Sequence, residues 1–260
     1  MKIFYFSGTG NSLYIAKQIA NEAGNSSIQF IPHFQKQHSI EIHEEKIGVI
    51  FPSYCQDIPD IVIDFCKKLK FNGNPYIFGI VTCNGVPGTS LQHLNNILRK
   101  KNQKLSAGWV LTMPGNSLHF IDYTNPREIQ NSRHLETEYQ LKGIIETIKR
   151  NGESKFEFKF ALKNQIQRYV NYNFLFRFYR TYTKFYTDEK CNQCGICSKI
   201  CPQENIKLTE NTISWGKNCL QCLACLHWCP KESIQIKGKT EDKRRYSHPK
   251  IKLNEMIIHG

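Results

Sequence analysis

Two runs of cysteine, Cys191-x-x-Cys194-x-x-Cys197-x-x-x-Cys201-Pro202 and Cys219-x-x-Cys222-x-x-Cys225-x-x-x-Cys229-Pro230, hold eight of the eleven cysteines in the chain. Three thiolates at two-residue spacing wrap three corners of an iron–sulfur cubane, and the fourth, followed by proline, points away to complete the neighbouring cluster. The spacing assigns Cys191, Cys194, Cys197 and Cys229 to one [4Fe–4S] centre, and Cys219, Cys222, Cys225 and Cys201 to a second. Tetrahedral zinc would use two cysteines per knuckle and leave the third and fourth of each run without a task. The runs are also copies of one another. Shifted by 28 positions, Glu204 falls on Glu232 and Ile206 on Ile234, the pseudo-twofold repeat that reciprocal ligation requires.

The cysteine region is too short to be the whole protein, and 260 residues with 40% hydrophobic side chains leave room for one or two domains. Apolar runs at Lys2 to Ser7, Ile28 to Pro32, Ile47 to Ser53, Tyr76 to Thr82 and Leu105 to Met113 read as strands. Between and after them, Gly10 to Asn21, Ile58 to Leu69, Thr89 to Lys101 and about Pro126 to Arg150 have helical spacing, the last ending at Asn151-Gly152. Alternating strands and helices predict an α/β fold, a doubly wound parallel sheet in the flavodoxin-like order 2-1-3-4-5 followed by a small α+β two-cluster module. The expected divisions are 1–151 for the sheet domain, 152–186 for a basic aromatic linker, 187–236 for the cluster module and 237–260 for a basic tail.

The turn after the first strand is Ser7-Gly8-Thr9-Gly10-Asn11-Ser12. Small residues there let backbone N–H groups converge, the hydroxyls of Ser7, Thr9 and Ser12 add donors, and the helix N-terminus favours an anion. It is not a Walker loop, since no Gly-Lys-Ser/Thr follows, nor a dinucleotide G-x-G-x-x-G. An ordinary capped turn is the plainer alternative.

This loop resembles the flavin phosphate loop of flavodoxins. With the cysteine repeat, it makes nearly the whole chain similar to a family of anaerobe proteins that fuse an N-terminal flavodoxin-like domain to a C-terminal two-cluster ferredoxin domain. The resemblance implies FMN, with Ser7, Thr9, Gly10, Asn11 and Ser12 at its phosphate and Tyr54 stacked on its ring. It also implies ring contacts from the loops after strands four and five, through Asn84, Gly85 and Asn116. The chain departs from the flavodoxin pattern in one respect: the loop after strand four, Asn84-Gly85-Val86-Pro87-Gly88, has no aromatic residue to cover the second face of the ring. A scaffold domain without flavin is the alternative reading.

Cys55 and Cys83 follow adjacent strands and read as small buried thiols rather than a redox pair, and Cys66 reads as core. Nine aromatics lie between Tyr169 and Tyr186; Phe174, Phe178, Tyr182 and Phe185, at helical spacing, read as a docking stripe rather than a surface for nucleic acid or membrane. The tail from Lys237 to Lys252, with Lys243-Arg244-Arg245, reads as a solvated basic segment that can steer an acidic redox partner. His227 and Trp228 lie between two ligands and either pack or tune the cluster. His93 and His119 read as isolated, so no set of acid, base and nucleophile emerges.

The formal charge is +13, which assembled clusters, being negative, would lessen. No apolar run reaches the eighteen or so residues of a spanning helix, and the chain opens on a strand pattern instead of a leader; together with thiolates that must stay reduced, this points to the cytoplasm. The function expected is electron transfer between two [4Fe–4S] clusters and FMN or an outside redox protein. The competing reading is an iron–sulfur regulatory or binding module on a flavin-free scaffold.

Overall fold

The computed structural model of the chain describes residues 1–119, 122–154, 181–210 and 212–258. They fall into two compact units. Of the described residues, the first comprises 1–7, 12–114 and 127–154; the second comprises 8–11, 115–119, 122–126, 181–210 and 212–258.

The first unit is built on β1 (Lys2–Tyr5), β2 (Ser27–Phe30), β4 (Lys46–Pro52), β6 (Tyr76–Cys83) and β7 (Ala107–Thr112). All four pairings are parallel and the order is β2-β1-β4-β6-β7, which is 2-1-3-4-5 when these five strands are counted alone. Strands of a parallel sheet lie between helical layers, so they are apolar on both faces. Ile3, Phe4, Ile47, Val49, Ile50, Phe51, Ile77, Phe78, Ile80 and Val81 are all fully buried. Helices α1 (Asn11–Ala23), α2 (Asp60–Lys68), α3 (Ser90–Arg99) and α4 (Arg127–Lys149) connect or follow these strands. The predicted second strand stops at Phe30, where Pro32 and its neighbours turn into a 3-10 helix, Ile31–Phe34. A short parallel pair, β3 (Ile40–Ile42) with β5 (Leu69–Phe71), was not expected.

The loop after β4 is a tight reversal. Tyr54 and Asp57 exchange both backbone hydrogen bonds, at 2.8 and 3.0 Å, while Cys55 and Gln56 between them have φ of 45° and 69°. Two successive non-glycine residues in the left-handed region cost on the order of 1–3 kcal/mol each, so the surroundings must hold them. The Gln56 carbonyl accepts the Thr89 N–H at 3.0 Å, and Asp57 Oδ1 lies 2.9 Å from His93 Nδ1. Gly88, at φ 60°, meets this turn so closely that a Cβ would collide with the Gln56 carbonyl. His93 is therefore not isolated: it pairs with a buried carboxylate.

The second unit contains β8 (Phe185–Thr187), α5 (Ile196–Lys199), β9 (Ile206–Leu208), β10 (Ile213–Trp215), α6 (Ala224–His227) and β11 (Ile234–Ile236). β8 pairs antiparallel with β11, and β9 with β10, so each half of the repeat supplies one strand to each ribbon. Phe185 opens β8 and is not part of a helical stripe. The rest of that stripe and most of the aromatic linker lie outside the described residues, apart from the 3-10 turn Thr181–Lys184. No helix among the described residues is long and apolar enough to cross a membrane.

Candidate metal centre

The 28-residue repeat is written into the backbone. Positive φ occurs at Gln193 and Gln221 (56° and 55°), at Gly195 and Leu223 (75° and 58°), and at Glu204 and Glu232 (48° each). Each pair is separated by 28 positions, as are α5 and α6, β8 and β10, and β9 and β11. Left-handed residues between the cysteines turn backbone N–H groups towards the sulfurs. Gln221 N–H donates to Cys219 Sγ at 3.3 Å, and Asn205 N–H to Cys201 Sγ at 3.4 Å.

Cys197 and Cys225 each draw electrostatic neighbours from both runs. Cys197 is flanked electrostatically by Cys194, Cys229 and Cys191, so the last cysteine of the second run sits with the first three of the first run. Cys225 is flanked by Cys219, Cys222 and Cys201, the converse arrangement. Burial pushes Cys197 and Cys219 up to about 11, and raises Cys222 and Cys225 further; neighbouring thiols add to this. Desolvation disfavours the thiolate, so a cation is needed to hold these sulfurs in the ionised form that binds metal. Cys194 is exposed, whereas Cys225 is buried. Among the described residues no group of three or more His, Cys, Asp or Glu side chains is placed to hold a metal ion. The donor set fits iron–sulfur chemistry: soft cysteine sulfurs from both runs, with N–H groups directed at two of them.

The tail from 237 to 258 is not a solvated segment. Thr240, Tyr246, His248, Ile251 and Met256 are all 5% exposed or less. The Arg245 guanidinium donates to the carbonyls of Ile234 and Thr240 and to Gln235 Oε1, so the basic run is partly consumed in holding β11. Buried polar groups must be paired, and His227 shows how. Its Nδ1 accepts the Tyr246 N–H at 3.1 Å, which leaves the proton on Nε2 to donate to the Asn116 carbonyl at 2.7 Å. Burial lowers His227 to about 4, so it is a neutral brace. The Trp228 indole donates to the Gly8 carbonyl at 3.1 Å.

That last bond ties the glycine-rich loop into the second unit. Gly8–Asn11 belong to it, and the loop carbonyls are engaged: His248 N–H donates to the Thr9 carbonyl at 2.9 Å, and Tyr246 Oη–H donates to Asn11 Oδ1 at 2.5 Å. Asn116 Nδ2 donates to Thr9 Oγ1 at 2.8 Å, which leaves the hydroxyl proton of Thr9 to serve another acceptor. No acceptor among the described residues takes the N–H of Gly8 or Thr9. With carbonyls bound and amides unclaimed, these loop residues keep the polarity of an anion cradle.

Of the remaining sequence-predicted contacts, Asn116 sits with Thr9, Gly10 and Asn11 in the second unit, and Ser7, Ser12, Tyr54, Asn84 and Gly85 belong to the first. Ser12 Oγ lies 3.1 Å from Thr82 Oγ1. The Tyr54 ring packs edge-on against Phe6 at 6.1 Å. Asn84 Oδ1 accepts from Arg133, and Gly85, at φ 108°, has open space around it. Cys55, Cys66 and Cys83 are free thiols raised by burial, the first two to about 11 and about 12.

His119 is likewise not isolated. It is buried, its Nε2 lies 2.8 Å from the Gln221 carbonyl, and its own carbonyl accepts from Lys239. Burial lowers its pKa from 6.5 to about 4, so the unfolded chain binds this proton before the folded one does. Stability from this group is complete above pH 6.5 and is lost as pH falls towards 4, by roughly 3 kcal/mol in the limit. In His119→Gln, which keeps a donor for Gln221, urea midpoints measured from pH 7 to pH 4.5 should fall less steeply than those of the parent. Parallel curves would refute the assignment.

The sequence matches the 4Fe-4S dicluster domain family over residues 179–234. Compared with curated proteins, the chain matches none. Among solved structures it is similar to an FMN-dependent NADH-azoreductase from Bacillus anthracis str. Ames Ancestor in complex with FMN, at 9% identity and a TM-score of 0.33, over 55% of this chain and 98% of that one.

Proposed function

We propose that this chain is an electron-transfer protein. Cys191, Cys194, Cys197 and Cys229 ligate one [4Fe–4S] cluster, Cys219, Cys222, Cys225 and Cys201 a second, and the pair exchanges electrons with FMN and with an outside redox protein. The crossed grouping of the eight thiols carries this reading, because it is the arrangement in which each run completes the cluster of the other. Exposure of Cys194 marks the Cys191–Cys197 cluster as the one nearer solvent and an outside partner.

Support for FMN comes from the loop. The unclaimed N–H groups of Gly8 and Thr9, with the Thr9 hydroxyl, suit a phosphate, and Ser7, Gly10, Asn11 and Ser12 complete the same turn. Tyr54, Asn84, Gly85 and Asn116, on the loops after β4, β6 and β7, are the ring contacts of this reading. A bound flavin would supply conversion between single electrons from clusters and a two-electron partner. The chain's own residues ligate, orient and shield. No acid or base is assigned a step.

Anaerobic purification followed by iron, sulfide and flavin analysis tests this directly. About eight irons per chain, with FMN released on heating, is the expected result. Zinc in place of iron would overturn the cluster assignment. Eight irons with no flavin, even after FMN is added, would overturn the flavin reading and leave a ferredoxin module on a flavin-free scaffold.

A further inference from the structure

The pseudo-twofold repeat makes one comparison unavoidable. Trp215 pairs with Ile206 in one ribbon, and Thr187 pairs with Ile234 in the other, so Trp215 and Thr187 occupy equivalent places in the two halves. A large aromatic donor occupies one of these places and a threonine the other.

The Nε1–H of Trp215 is buried, and no acceptor among the described residues takes it at hydrogen-bond distance. The ring is held in place by a tilted contact with Phe185, with centroids 5.4 Å apart. Buried N–H groups are nearly always paired in folded proteins, so an orphan of this kind points to an acceptor that the polypeptide alone does not provide. The indole N–H faces the Cys225 thiol, a ligand sulfur of one group, without closing a hydrogen bond to it.

We infer that Trp215 is a positioning residue that donates its indole N–H to a sulfur of the cluster ligated by Cys219, Cys222, Cys225 and Cys201, and so raises the potential of that cluster alone. The inference rests on the two-cluster reading above. A hydrogen bond to a cluster sulfur stabilises the reduced, more negative form. Thr187, at the equivalent place, has no indole to offer. The repeat therefore carries a built-in inequality between two otherwise similar centres.

The test is an anaerobic redox titration of the full-length holoprotein followed by EPR, comparing the parent with Trp215→Phe, which keeps an aromatic ring and removes the donor. Removing one hydrogen bond to a charged acceptor is worth about tenfold in the equilibrium constant, a fall of about 59 mV for a one-electron couple. One centre should shift by this order while the other stays put, with about eight irons retained. Two unshifted centres, or equal shifts in both, would overturn the role of Trp215. Parent protein holding about four irons or fewer would instead overturn the two-cluster reading on which it rests. Should the variant lose iron, the parent itself decides. With tryptophan labelled by 15N at the indole, pulsed EPR of the reduced clusters should read a 15N coupling to one centre, and its absence would sink the proposal.

Discussion

Replacing Cys229 by alanine should remove the cluster built on the other cysteine run. Alanine offers no ligand atom, and Cys229 bears electrostatically on Cys197 together with Cys191 and Cys194. Iron should therefore fall from about eight to about four per chain in Cys229→Ala, and the same in Cys194→Ala. The combinations discriminate. Cys194→Ala with Cys229→Ala strikes one cluster twice and should still leave about four irons, whereas Cys222→Ala with Cys229→Ala strikes both and should leave almost none. Residues acting as a unit are non-additive and residues in separate units add, so iron analysis of the two double variants reads the connectivity without any assumption about potentials. The reverse pattern, with Cys222→Ala plus Cys229→Ala retaining about four irons, would mean that each run binds its own cluster, and crossed ligation would be wrong.

The iron–sulfur character of the C-terminal region was legible in the sequence because cluster chemistry prescribes cysteine spacing. The five sheet strands were legible for a different reason: a strand buried on both faces must be apolar throughout, and Ile47 to Phe51 contains only apolar residues and a glycine. Elements of three residues carry too little pattern to be read. Ile40–Ile42 and Leu69–Phe71 pair in parallel, yet each shows only two apolar residues around one charged residue. The tail was misread because its charge was counted without its intervening residues. Lys243-Arg244-Arg245 looks solvated, but Tyr246, His248, Ile251 and Met256 recur through the same stretch and are buried, and Arg245 is spent on carbonyls.

Histidines were the least legible of all. His93, His119 and His227 each have a partner distant in sequence: Asp57, the Gln221 carbonyl, and Asn116 together with Tyr246. Such pairings depend on which loops the topology brings together. Sequence periodicity does not report that, and only the presence of polar residues in otherwise apolar surroundings could have hinted at it. The linker presents the opposite case, since its aromatic spacing is plain in the sequence while Phe185 is drawn into β8 by its pairing with Ile236. Local pattern proposed a helix there, and a partner strand overrode it.

Gly8 illustrates how a residue can be noticed for one reason and required for another. In the sequence it is one of two glycines that let a loop approach an anion. In the second unit, a Cβ at this position would lie 2.5 Å from the carbonyl oxygen of Cys222 and 3.4 Å from its Cβ. The obstruction is backbone and cannot rotate aside, and Cys222 is itself a proposed ligand whose position the cluster would fix. Gly8→Ala must therefore push the loop away, at a cost of about 1–3 kcal/mol for overpacking, and stretch the bond from Trp228 to the Gly8 carbonyl. Strain of that size, placed against Cys222, should speed chelator-driven iron loss by about tenfold or more, and the loss should fall on the cluster containing Cys222 before the other. Gly143→Ala in α4 supplies the control, since a Cβ there meets nothing within 4 Å and alanine favours the helix. The decisive comparison is made on protein freed of any flavin. If Gly8 serves only an anion, iron release from flavin-free Gly8→Ala should match the parent; if it serves the contact with Cys222, release should be faster with or without flavin, because the collision is with the polypeptide.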